Sequence, residues 1–146
     1  MEHAGDAQCA EGCIFCQIVG GTSPAAIVYE DDVTLAFMDI NPANPGHVLV
    51  IPKRHAKDLF EVDDDDACRV MRTVRRVAQA IDQALRPDGL NLIQANRPAA
   101  FQSVFHYHVH VIPRWHADGL VPIWRHQRAD PAALRSDAAR IRAAIA

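Results

Sequence analysis

The chain carries no surplus of positive charge: 15 Lys and Arg stand against 18 Asp and Glu, for a net charge of −3. That balance argues against a general binder of nucleic acid or of a membrane surface. No apolar run approaches the length of a membrane span. The start Met1-Glu-His-Ala-Gly-Asp6 has neither the basic residues nor the apolar core of a secretory signal. Internal repeats and low-complexity segments are also absent. Cysteine is sparse, with Cys9, Cys13, Cys16 and Cys68 only. The expected compartment is therefore the reducing cytoplasm, where such thiols point to metal binding or to bystanders and away from a disulfide framework. What remains is an ordinary globular composition, 49% hydrophobic and 23% charged over 146 residues. That is one domain's worth of chain, with enough residues to bury a core.

The stretch 101–113 is where chemistry concentrates. His106, His108 and His110 alternate with Phe105, Tyr107, Val109 and Val111. Strand side chains repeat every two residues, so the three imidazoles share one face and the apolar set takes the other. Aromatic and β-branched neighbours suit a strand and argue against a helix. Imidazole titrates near neutrality, and a hydrophobic core gains nothing from a row of three. The row reads as a site.

Taken in order, residues 1–12 read as a loose polar arm. Cys13-Ile-Phe-Cys16 follows, a spacing that suits one shared metal, a redox pair or two unrelated thiols. Ile14, Phe15, Ile18 and Val19 make a short helical face stopped by Gly20-Gly21. Two short strands, Ile27–Glu30 and Val33–Asp39, flank Asp31-Asp32 as a hairpin. Asn41-Pro-Ala-Asn-Pro-Gly46 is a loop, and residues 47–52 are a buried strand ended by Pro52. Asp63 to Asp66, read as surface charge, open a helix that runs to residue 86, with Val70, Val74, Val77 and Ile81 on its apolar stripe. Its arginines read as a solvated face that could also touch phosphate. Residues 90–96 read as a strand and Arg97-Pro-Ala-Ala100 as a turn. Residues 117–146 form an extension with a last helix at about 131–145, started by Asp130 and Pro131. This order of elements implies an α+β fold with a mainly antiparallel sheet.

His106-Tyr-His-Val-His-Val-Ile-Pro113, preceded by Gln102-Ser-Val104, resembles the signature of the histidine-triad (HIT) superfamily. The upstream runs Leu35-Ala-Phe-Met-Asp-Ile-Asn-Pro42 and Pro45-Gly-His-Val-Leu-Val-Ile-Pro-Lys-Arg-His55 resemble the same family's first half. The likeness covers roughly residues 13–114. It implies a homodimer of HIT-like domains (here 13–116), each a five-stranded sheet with one long helix and short flanking helices. The dimer would form through the long helix and the strand ending near Asn96. It also implies binding of a purine nucleotide and cleavage at its α-phosphate. By that resemblance His108 is the nucleophile that becomes nucleotidylated, and a neutral imidazole is well suited to the task. His110 would sit beside the phosphate oxygens. Ser103 and the backbone around Val104 would stabilise charge there, with Gln102 in the same run. Asp39 would hold the ribose hydroxyls. Ile14, Phe15, Ile18, Phe37 and Ile40 would form the base pocket, although the residues alone read as plain core. Asn96 would lie near phosphate and ribose.

In family members with a Cys-x-x-Cys, including the galactose-1-phosphate uridylyltransferases, the first histidine joins the cysteines on zinc. Carried over, the ligands are Cys13, Cys16, His55 and His106, a closed structural set. His3, His47, His116 and His126 read as surface or loop histidines. Phe101 and Arg97-Pro98 stand where the family commonly has glycine-containing turns, so a different loop path or an added aromatic contact is expected. The expected function is hydrolysis or transfer on adenosine or guanosine phosphoramidates or dinucleoside polyphosphates. A dinucleoside polyphosphate phosphorylase and a non-catalytic nucleotide-binding partner protein are the rivals. His108 argues against the latter, which needs no nucleophile.

Overall fold

The computed structural model describes residues 9–146. Most of the expected N-terminal arm, and His3 with it, falls outside the described residues. Three helices, α1 (Ile14–Val19), α2 (Asp64–Leu85) and α3 (Pro131–Ala144), accompany five strands. The strands are β1 (Ile27–Glu30), β2 (Thr34–Met38), β3 (Val48–Pro52), β4 (Gly89–Ile93) and β5 (Val109–Arg114). They form one open antiparallel sheet in the order β1-β2-β3-β5-β4, an α+β architecture.

Strand alternation divides two cores. On one face Ala36, Val48, Val50, Tyr107, Val109 and Val111 pack against Val70, Val74, Val77 and Ile81 of α2. On the other, Leu35, Phe37, Leu49 and Ile51 pack against Phe15 of α1. β3 is central and buried at every position, which is why its sequence is continuously apolar. Each fully buried aliphatic on α2 contributes roughly 1.5–3 kcal/mol, far more than helix propensity supplies. The Thr34 and Thr73 hydroxyls, 2.7 Å apart and buried, tie α2 to β2. Gly46 closes the loop before β3 at φ +87°, where an added Cβ would lie 2.4 Å from Leu85 Cδ1. Only glycine fits that turn against the end of α2.

Several boundaries differ from the sequence-based expectation. β5 begins at Val109, so His106, which lies at a bend, and His108 precede the ladder. Tyr107 N–H donates to the Ala56 carbonyl at 2.7 Å, which anchors this segment beside the sheet. β4 ends at Ile93, and beyond it the side-chain amides of Gln94 and Asn96 bond each other. The acidic run opening α2 is not all surface charge. Asp66 is buried, and with Asp63 it holds the Arg54 guanidinium beside the Pro52–His55 corner.

The loop before the histidines carries a further correction. Arg97 (φ 72°, ψ 161°) and Phe101 (φ 66°, ψ 26°) flank a short 3-10 turn, Pro98–Ala100, in conformations that glycine favours. Phe101 therefore adopts a glycine-like path instead of forcing another one, and its ring is 83% exposed. Among the described residues no helix is long and apolar enough to cross a membrane. α3, capped by Asp130, is exposed along its whole length, including Leu134 and Ile141.

Candidate active site

α1, the end of β2, β3 and the start of β5 enclose a cavity of about 270 Å³. Ile14, Phe15, Ile18, Phe37, Ile40 and Leu49 make its apolar walls, and Asp39, Ser103, Val104, His108 and His110 its polar end. Every residue expected in the base pocket lines this one space, as do Asp39, Ser103, Val104 and the last two histidines. A flat apolar slot with a few convergent polar groups at one end is the usual form of a small-molecule site. Gln102 and Asn96 do not line it. The buried Gln102 amide accepts from Arg97 N–H at 2.7 Å and donates to the Lys57 and Val104 carbonyls at 2.7 and 3.1 Å. Asn96 Oδ1 accepts from Leu59 N–H at 2.8 Å. Both side chains are committed to holding loops beside the cavity.

The histidines are fixed by one partner each. His108 Nδ1 donates to the His106 carbonyl at 2.6 Å, so the lone pair of the ring is on Nε2. The Phe15 ring stands edge-on to it at 5.2 Å. Burial holds His108 below the ordinary histidine pKa, so the ring is neutral at pH 7. His110 is pushed down to about 4, first by burial and then by the neighbouring His108 and His47.

His47 was expected to be a bystander; it is buried and sits inside the site. Ala43 N–H donates to its Nδ1 at 3.0 Å, which places the ring proton on Nε2. That Nε2 lies 2.9 Å from His110 Nδ1 and 3.5 Å from Asp39 Oδ2. A neutral His47, depressed by burial, thus donates to His110 Nδ1 and leaves the His110 proton on Nε2. Asp39 Oδ1 in turn accepts from Asn41 N–H at 2.8 Å, which orients the carboxylate. A lone histidine opening an apolar strand carries no signal of this in sequence. Its partner, His110, is 63 positions away.

A second cluster joins Cys13, Cys16, His55 and His106, whose ligand atoms lie within 4.8 Å of one another. The two Nδ1 atoms are 3.3 Å apart, and sulfur-to-Nδ1 separations are 3.5, 3.5 and 3.7 Å. A tetrahedral ion with usual Zn–N and Zn–S lengths has edges of about 3.3 Å between nitrogens and about 3.6 Å between sulfur and nitrogen. The donor set therefore fits a metal. His106 Nε2 donates to the Pro52 carbonyl at 2.8 Å, which turns Nδ1 towards the sulfurs. Burial pushes the Cys16 thiol up to about 12, so its thiolate form calls for a bound cation. Cys9 and Cys68 are exposed and outside the cluster.

This five-stranded antiparallel sheet with its histidine cluster has close counterparts among known proteins. A family model described as "HIT domain" matches residues 21–117. The chain belongs to the HIT domain family. It is 47% identical over 118 residues to "Protein hit" of Bacillus subtilis, covering 80% of this chain and 81% of that one. It is 41% identical over 102 residues to an adenosine 5'-monophosphoramidase of Schizosaccharomyces pombe, covering 70% and 74%. Among solved structures, a HIT family protein from Bacillus anthracis superposes with TM-score 0.88 at 37% identity, over 94% of this chain and 100% of that one. A zinc-bound histidine triad family protein from Mycobacterium smegmatis does so with TM-score 0.72 at 38% identity, over 92% and 98%.

Proposed function

We propose that this chain hydrolyses or transfers nucleotides by cleavage at the α-phosphate of adenosine phosphoramidates or dinucleoside polyphosphates, through a nucleotidyl-histidine on His108. The observation that carries this is the state of His108. Its Nδ1–H is tied to a carbonyl and its Nε2 lone pair is left at the polar end of an apolar cavity. The phosphoramidase name of the fission-yeast relative supports the same reaction class.

The base would lie between Ile14, Phe15, Ile18 and Phe37, with the ribose hydroxyls on Asp39. His108 Nε2 then forms a bond to phosphorus as the bond to the leaving nitrogen or oxygen breaks, the electron pair departing with that group; a leaving nitrogen takes a proton from solvent and departs as the amine. The ring takes on positive charge, and its Nδ1–H bond to the His106 carbonyl stabilises that charge. His110, neutral with its proton on Nε2, donates a hydrogen bond to the phosphoryl oxygens, as does Ser103. Water then attacks phosphorus and gives up a proton to solvent, the P–N bond breaks, and the pair returns to His108 with release of the nucleotide. Splitting the displacement in this way lowers each barrier. His47 acts through His110 by setting its tautomer.

The metal is read as zinc on Cys13, Cys16, His55 and His106. When bound it would crosslink α1 to the ends of β3 and of the histidine segment, a structural contribution only. Residues 13–116 would be the catalytic unit and residues 117–146 an extension to it. The reducing cytoplasm suits two thiolate ligands. A homodimer through α2 and β4 is also proposed. Its support is the unpaired outer edge of β4, with Leu92 exposed, beside exposed Met71 and Leu85 of α2. Light scattering at micromolar concentration should give twice the chain mass, and a monomer mass would contradict it. The test of the reaction is capture of a nucleotidyl group on His108 after rapid quenching with an adenosine phosphoramidate.

A further inference from the structure

The extension after the HIT domain carries apolar side chains that its own chain leaves in water. α3 has 14 residues, a length at which a helix by itself is marginal in water, so packing must supply most of its stability. None of those residues is buried. Leu134, Ala138, Ile141 and Ile145, the last just past the final turn, recur at helical spacing and form one narrow stripe. Arg135 and Arg142 run along its flank. Leu134, Ile141 and Ile145 are 56, 64 and 72% exposed, so the only apolar face of the helix has no cover within the described chain.

A second uncovered apolar feature lies beside the sheet. A groove of about 520 Å³ runs along β4, the strand at the sheet edge. Leu92, Ile93 and Ile112 line it from the sheet, and Val121, Ile123 and Trp124 from the extension. Those last three are each more than half exposed. The total surface sets the scale of what is missing. The chain exposes 10545 Å², whereas a compact monomer of 16.1 kDa exposes about 7,400 Å². With about 1,200 Å² set aside for residues 1–8, the surface of a fully unfolded octapeptide, an excess of about 1,900 Å² remains. That is more than twice the roughly 800 Å² that each partner gives to a standard interface.

We infer that the extension is an intersubunit arm: the apolar stripe of α3 docks in the β4 groove of a second copy of this chain, and the exchange is reciprocal. The inference rests on the dimer reading above and is independent of the chemistry. Position, complementarity and reach all select a second copy. The groove adjoins the unpaired edge of β4, so a twin chain paired along that edge stands next to it. One chain carries both the stripe and the groove, so a two-fold exchange covers both and closes on itself. His126 still lines the groove and α3 starts at Pro131, so the connecting backbone reaches at most about 18 Å. The helix adds about 21 Å, and paired edge strands lie only about 4.8 Å apart, so the arm spans the junction. The excess surface is of the size that such an exchange removes.

Light scattering over a dilution series measures the dimer Kd, and disulfide trapping locates the arm. Leu134→Asp/Ile141→Asp should raise Kd at least about a hundredfold, because two aliphatic side chains on each arm lose their burial, and Leu134→Met/Ile141→Leu should keep it. Both positions are on the surface of the single chain, and amide NMR spectra of the sheet residues report an intact domain. In a Cys9→Ser/Cys68→Ser background, Ile123→Cys/Ile141→Cys should give a covalent dimer on mild oxidation, with the 123–141 link between chains by peptide mass. A Kd unmoved in the Asp variant, no interchain link, or a link within one chain overturns the arm and leaves the α2–β4 dimer standing. Wild type of monomer mass at micromolar concentration overturns both.

Discussion

Replacing His47 by Phe keeps an aromatic ring in the buried position but removes both of its hydrogen bonds. Ala43 N–H loses its acceptor at 3.0 Å, and His110 Nδ1 loses its donor at 2.9 Å. Ala43 is exposed, so water can take over its N–H, and the loss of hydrogen bonds worth about 0.5–1.5 kcal/mol should lower the melting temperature by a few degrees. The functional effect is separate. Without His47 to donate, the two tautomers of His110 differ by little, and the one with its proton on Nδ1 offers no donor to the phosphoryl oxygens. The lost bond is worth about 0.5–1.5 kcal/mol, so kcat should drop by up to about tenfold while nucleotide affinity is kept. His47→Gln, whose amide can still donate, should recover part of the loss. The assay pairs steady-state kinetics on an adenosine phosphoramidate with ¹⁵N shifts of the His110 ring. Wild type should show a protonated Nε2, and His47→Phe a tautomer mixture. An unchanged kcat, or a wild-type His110 protonated on Nδ1, would refute the reasoning.

Protein purified without chelator should contain about one zinc per chain, and Cys13→Ser should remove it and lower thermal stability; full occupancy after that change would contradict the assignment. Because burial depresses His108 and His110, both are neutral at pH 7 and gain protons only well below the ordinary histidine value of 6.5. The acid limb of kcat/KM should therefore lie between pH 6.5 and about 4. Stability should fall over the same interval, since the unfolded chain binds those protons first; a limb at or above 6.5 would count against it. Arg97→Gly relieves the φ 72° strain, partly offset by a more flexible unfolded chain, and should raise stability by about 1 kcal/mol in chemical denaturation. A loss of stability would show that Arg97 is not strained there.

Much of the architecture was legible because it follows from periodicity. Val70, Val74, Val77 and Ile81 fall at helical spacing, and Tyr107, Val109 and Val111 at strand spacing, so the two faces of the sheet could be assigned from sequence. The zinc-type ligand set and the cavity lining came through the family resemblance, since Cys13 and His106 are 93 positions apart and nothing local links them. What stayed hidden depends on geometry that residue identity does not encode. Side-chain type does not reveal that Arg97 and Phe101 take up positive φ. Nor does it reveal that Gln102 and Asn96 spend their amides on loops, or that His47 meets His110. The start of β5 was misplaced for a related reason. Alternation marks extended backbone, whereas a ladder also needs a neighbouring strand, and His106 to His108 have only the Ala56 carbonyl.

The central claim is that His108 carries the nucleotidyl group. Wild-type protein mixed with an adenosine phosphoramidate, quenched in acid-free denaturant within milliseconds and digested, should yield an adenylylated peptide whose modified residue is His108. His108→Asn should give no adduct and lose on the order of 10³-fold or more in turnover. Turnover that survives in His108→Asn, or an adduct on another residue, would contradict the account.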